Sequence, residues 1–160
     1  MKVMIIYDSV SAMKLTAKVA ETIGGVLKEK GIEVDSFSVK DVDRATVKNY
    51  DCLIAGAPTM AFRASRGIMQ FLNSFSDNEF SGKLGAAFDT QLQSRLSGNA
   101  AERIMKKLNK LGFQIITPPL VTYVAGKTNE QQLKEGEQEK TRNWAQEIAK
   151  TLSKQKSKTR

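Results

Sequence analysis

Five short apolar runs, separated by segments of helical periodicity, limit this chain more than any other feature. VMIIY (3–7), CLIAGA (52–57) and LGAAF (84–88) are almost uninterrupted, and strands of that kind need cover on both faces, as in a parallel sheet held between helices. VDSFSV (34–39) and the paired runs FQII and LVTYV (113–124) supply the remaining strands. Between them, Leu15, Val19, Ile23, Val26 and Leu27 form one helical stripe, and Ile68, Leu72 and Phe75 a second. Ala101, Ile104, Met105, Leu108 and Leu111 form a third, and Trp144, Ile148 and Leu152 the last. Gly31 and Gly112 each follow a cluster of lysines, the pattern of a glycine that ends a helix. ATVKNY (45–50) reads as a short helix. The alternation predicts an α/β fold, a three-layer doubly wound sandwich around a five-stranded parallel sheet with right-handed crossovers.

Composition removes several chemistries. The 160 residues suit one domain, residues 1–153, followed by a basic flexible tail, 154–160, in which SKQKSKTR carries four cations and no acid. Much of the +8 formal charge lies there. No histidine is present and Cys52 is the one cysteine, so histidine triads, zinc clusters and internal disulfides are excluded. Cys52 reads as a buried strand residue rather than a redox centre. The start, MKVMIIYDSV, is too short an apolar run for a signal peptide, and no segment is long enough to span a bilayer. The expectation is a cytoplasmic protein. The tail reads as a solubilising segment, and nucleic acid is not the expected partner.

Ligands of doubly wound sheets bind beyond the carboxyl ends of the strands. Three connections reach that edge: residues 8–13, 58–65 and 89–97. The first, DSVSAMK, leads from strand to helix, where unpaired amides and the helix dipole favour an anion, yet it contains no glycine. Neither GxxxxGK nor GxGxxG occurs at this turn, which argues against nucleotide hydrolysis and dinucleotide binding. The third strand ends in Ala57 and Pro58, without the aspartate of a phospho-receiver domain.

At these connections the sequence resembles the flavodoxin family of proteins that bind flavin mononucleotide (FMN). DCLIAGAPTMAFRASRGIMQFLNSF is similar to that family's third strand, second loop and following helix. YDS with TAKVAETI resembles its phosphate loop and first helix, and GKLGAAFDT its fourth strand. SGNAAERIMKKLNKLGF and LKEGEQEKTRNWAQEIA resemble its last two helices, so the likeness covers nearly the whole chain. It implies the strand order 2-1-3-4-5 and a flavin lying across the three loops. The implied phosphate segment comprises Ser9, Val10, Ser11, Ala12, Met13, Lys14 and Thr16, with the hydroxyls of Ser9, Ser11 and Thr16 on the phosphate. Its register has two solutions: counted forward from Tyr7, Ala12 takes the family's glycine position; counted back from Thr16, Lys14 takes it. Ser11 as a plain N-cap is the alternative reading. Pro58, Thr59, Met60, Ala61 and Phe62 are implied to border the ring, Thr59 and backbone amides at its edge and Phe62 stacked or else packed beneath the loop. The backbone of Asp89, Thr90 and Gln91 is implied at the pyrimidine end, although Asp89 can equally bond loop amides. Tyr123 is a further stacking candidate and equally a covered strand residue.

Two departures shape the expected chemistry. The family's typical one-electron carrier is acidic and has a glycine in its second loop whose peptide turns over to bond the ring's N5. PTMAFR has no glycine, and Arg63 and Arg66 favour a negatively charged, fully reduced flavin. The expectation is therefore an FMN-dependent oxidoreductase with two-electron, quinone-reductase-like chemistry, or an electron carrier for an acidic redox partner protein. The alternative is a flavodoxin-fold scaffold module that no longer binds flavin.

Overall fold

The computed structural model describes residues 1–10, 13–60, 63–94, 98–127 and 129–158. In chain order the elements are β1 (Lys2–Tyr7), α1 (Leu15–Glu29), β2 (Glu33–Ser38), a 3₁₀ helix (Arg44–Asn49), β3 (Cys52–Met60), β4 (Arg63–Ala64) and α2 (Arg66–Asn73). They continue with β5 (Leu84–Leu92), α3 (Ala100–Lys110), β6 (Gln114–Ile115), β7 (Leu120–Ala125), β8 (Gln132–Leu133) and α4 (Glu137–Lys158). Strands β2, β1, β3, β5 and β7 lie side by side in that order and all pair parallel, the 2-1-3-4-5 order expected for the five principal strands. Short β4 and β8 add antiparallel pairs to β3 and β7.

The apolar runs are buried as their continuity demands. Val3, Ile5 and Ile54 point to a layer formed with Val19, Ile23 and Leu27 of α1 and Ile148 and Leu152 of α4. Met4, Ile6 and Leu53 point to the other, with Ile68 and Leu72 of α2 and Ile104 and Leu108 of α3. Phe80 there stacks on Phe113 and meets Phe75 edge-on, both at 4.9 Å between ring centroids. Gly56 of β3 lies under the Phe88 ring, which occupies the space a Cβ would need.

Three segments depart from expectation. β3 and β5 run on to Met60 and Leu92, so residues 58–60 and 89–92 are strand rather than loop. Pro58 and the polar residues break the hydropathy pattern, but neighbouring strands hold them: Pro58 pairs with Thr90, Thr59 with Ala64, and Gln91 with Tyr123. At the C-terminus α4 stays helical to Lys158, into the segment expected as a flexible tail. Leu152 of α4 is buried just before it, and Lys156 and Lys158 complement the negative end of the helix dipole.

Candidate functional site

The carboxyl ends of β1, β3, β5 and β7 open onto a cleft of about 370 Å³, within the usual range for small-molecule sites. Thr16, Thr59, Thr90, Gln91 and Gln131 supply polar groups, and Leu15, Pro58 and Val124 apolar surface. At its rim stand Val10, Met60 and Leu92, which are 50%, 48% and 51% exposed. Among the described residues these are the large apolar side chains most open to water. Their convergence on one cleft marks it as built for an occupant.

The first wall is the β1–α1 connection. Asp8 donates its backbone N–H to Gly56 O at 3.1 Å and accepts the Ser65 hydroxyl at 2.5 Å. Its carboxylate thus lies at the start of α2, so close that a Cβ on Gly67 would come within 2.5 Å of Oδ2. Ser9 follows with a buried Oγ that has no hydrogen-bond partner among the described residues. A buried hydroxyl is ordinarily satisfied, so this one is available to a ligand. Lys14 is exposed, forms no ion pair among the described residues and holds the N-cap position of α1 at φ 50°, ψ 42°, the left-handed region. That conformation is glycine's by preference, and Lys14 is the residue that falls on the family's glycine position when the segment is counted back from Thr16. Lys14 makes no side-chain cap and α1 has no acidic residue in its first turn, so among the described residues nothing compensates its first amides and dipole. Met13 is half-buried beside Lys14. Ser11 and Ala12 lie outside the described residues.

Thr16 turns away from solvent. It is 3% exposed, and its hydroxyl is 2.9 Å from that of Thr90, a bond that ties α1 to β5 across the cleft floor. Thr59 is similarly committed: its Oγ1 accepts from Ala100 N at 3.0 Å and donates to Asp89 Oδ2 at 3.2 Å. These two bonds use its one proton and one of its two lone pairs. Ala61 and Phe62 lie outside the described residues.

Asp89 is fully buried. Besides the Thr59 hydroxyl, Oδ2 accepts Gln91 Nε2 at 2.9 Å and Ala101 N at 3.2 Å, while Oδ1 has no partner. Burial pushes this carboxyl above its ordinary value of 3.8, against the pull of those hydrogen bonds. The side chain binds loop and helix amides, the second of the two roles open to it in the sequence, and so fixes the start of α3 relative to β3. Thr122 braces it by donating to Asp89 O at 2.6 Å. Tyr123 stays half-buried on β7 with Lys140 Nζ 4.9 Å from its ring, away from the cleft lining. Cys52 is buried, its thiol pushed up to about 12 by desolvation, which leaves it inert.

Leu15, Leu92, Val124 and Gln131 also line the cleft and were not among the residues picked out in the sequence. Leu92 and Val124 carried one usable signal, a position at the carboxyl end of a strand. Gln131 carried none.

Three comparisons bear on this geometry. The family model described as the flavodoxin domain matches residues 4–158. The flavodoxin of Clostridium saccharobutylicum is 30% identical over 112 residues, which are 69% of this chain and 68% of that protein. Among solved structures, oxidised Flavodoxin 2 from Bacillus cereus matches with a TM-score of 0.80 at 22% identity, over 94% of this chain and 99% of that one. A flavodoxin from the domain Archaea matches at 0.76 and 23%, over 96% and 99%; at these identities the structures speak for the fold. A family match over nearly the full length, on a sheet of the same strand order with its cleft at the carboxyl edge, means that this chain belongs to the flavodoxin family.

Proposed function

We propose that the cleft seats FMN with its phosphate against the β1–α1 connection and its ring between Val10, Met60 and Leu92, and that the protein uses it for two-electron reduction. Membership of the flavodoxin family gives the coarser function, an FMN-binding electron-transfer protein. The residues present fit that cofactor. The orphaned Ser9 Oγ can donate to a phosphate oxygen, the uncapped amides of α1 can do the same, and Lys14 supplies the charge. Ser11, Ala12 and Met13 belong to the same proposed segment. The exposed apolar rim suits an aromatic ring system, with Pro58 flanking it and Thr90 and Gln91 beneath; Ala61 and Phe62, which the family resemblance implies for the ring loop, belong to the same proposed set. FMN, when bound, supplies a centre that exchanges one or two electrons.

Arg63 and Arg66 carry the two-electron reading. Both are exposed and neither forms an ion pair among the described residues, so their charge is free to favour an anionic reduced ring. The peptides around Thr59 and Met60 support it, because their pairing with Ala64 and Arg63 holds this part of the second loop in a ladder. A quinone-like molecule that accepts both electrons together suits such a site. The test is a spectroscopic reductive titration of the FMN-loaded protein. A direct passage from oxidised to fully reduced spectra supports the reading, and a long-wavelength band at half-reduction refutes it. A protein that takes up no FMN at all would instead be the scaffold module.

A further inference from the structure

Beside the flavin cleft, and sharing Met60 with it, runs a second groove of about 770 Å³. Arg63, Arg66, Arg103 and Lys106 line it, with Met60 and Met69 among them. All four cations are exposed. Among the described residues Lys106 alone of the four has an ion-pair partner, Glu102 at 3.1 Å on its own helix, while Arg63, Arg66 and Arg103 form none. They come from two separate parts of the chain, β4–α2 and α3, which packing brings to one face. No acidic residue lines the groove.

We propose that this groove is the docking face for an acidic redox partner protein, with Met60 as the point where the docked surface meets the flavin. The inference rests on the assignment of the flavin to the neighbouring cleft and adds which face the partner takes and which charge it bears. Charge complementarity selects the partner's sign, since three uncompensated guanidinium groups in one groove repel any cationic surface and steer an anionic one. Exposure selects its size. A site for a small anion sinks its cations around the ligand, whereas these heads stand open around two flexible methionines, the arrangement of a polar rim around an adaptable apolar centre. Redox encounters use small interfaces that rely on charge for orientation, and a contact sharing Met60 brings the partner to the cleft mouth.

The probe is a reduced-size acidic electron carrier, a [2Fe–2S] ferredoxin, titrated into ¹⁵N-labelled protein both with and without FMN. The expected result is amide shifts confined to β4, the start of α2 and the exposed face of α3, weakening steeply as salt rises. Arg103→Gln with Lys106→Gln should raise the dissociation constant about three- to tenfold at low salt. Lys154→Gln with Lys156→Gln, equal in charge change, should leave it unaltered, because Lys156 lies with Met1, Asp51 and Lys83 at the opposite edge of the sheet. FMN affinity within twofold of the parent in both variants shows the cleft intact, and docking to the flavin-free protein is read independently of whether FMN binds. Equal losses in the two variants would reduce the effect to net charge and overturn the proposal. So would shifts in the groove with NADPH or inorganic phosphate but none with the ferredoxin, which would make it a small-anion site.

Discussion

Lys14 combines a backbone penalty and the charge proposed for the phosphate in one residue, and substitution separates them. At φ 50° and ψ 42° a residue with a side chain bears about 1 kcal/mol that glycine avoids. Its ammonium also opposes the α1 dipole by about 0.3–1 kcal/mol. Lys14→Gly removes both and returns about 0.4–1 kcal/mol through the greater freedom of the unfolded chain. The flavin-free protein should therefore gain about 1 kcal/mol, or about 2–4 °C in Tm for a chain of this size. Lys14→Ala keeps the backbone penalty and removes only the charge, so its gain should be the dipole contribution alone. Flavin binding moves the other way. A charge-assisted hydrogen bond is worth about 1.5–3 kcal/mol, so both variants should bind FMN about 10- to 100-fold more weakly, toward the lower figure because Lys14 is exposed. Riboflavin, which lacks the phosphate, should bind all three proteins alike, and salt should erode the parent's advantage. Calorimetric melting and titration with both flavins read the four quantities. Equal losses for the two ligands, no loss for either, or a Lys14→Gly protein that melts lower than the parent would refute the reasoning.

Two further expectations follow from the core and from Asp89. Gly56→Ala puts a methyl group into the Phe88 ring and should destabilise by about 1–3 kcal/mol as an overpacked core; adding Phe88→Leu should recover part of it in a double-mutant cycle by urea unfolding, and strict additivity would show that the two do not touch. Burial raises the Asp89 carboxyl in the folded state, so the stability it contributes is complete below its unfolded value and is lost as pH rises through the folded one. Asp89→Asn should flatten that fall in a stability profile taken upward from about pH 4, and an unchanged slope would show that the group is ionised without penalty.

Hydropathy carried most of the fold because VMIIY, CLIAGA and LGAAF are buried on both faces and leave no polar alternation to misread. It failed where pairing, not burial, sustains an element. Pro58 to Met60 look like a loop until β4 is seen against them, and the strand status of Gln91 depends on Tyr123. The site was legible as three connections at one sheet edge, but not as individual bonds. Nothing in the sequence shows that the Thr16 and Thr59 hydroxyls are taken by Thr90, Asp89 and Ala100. The register of the phosphate segment was ambiguous for the same reason, since the left-handed backbone of Lys14 leaves no mark in the sequence.

The contact of Asp8 with Ser65 joins two recognition surfaces into a single mechanical unit. Asp8 precedes the phosphate segment, and Ser65 begins the helix that follows the ring loop, with Gly67 allowing the carboxylate to lie directly against that turn. This bond couples the two connections, so ordering one would prepay part of the entropy of ordering the second. In the proposed placement of FMN, its phosphate and its ring would be recognised as linked events, each tightening the other by the same factor.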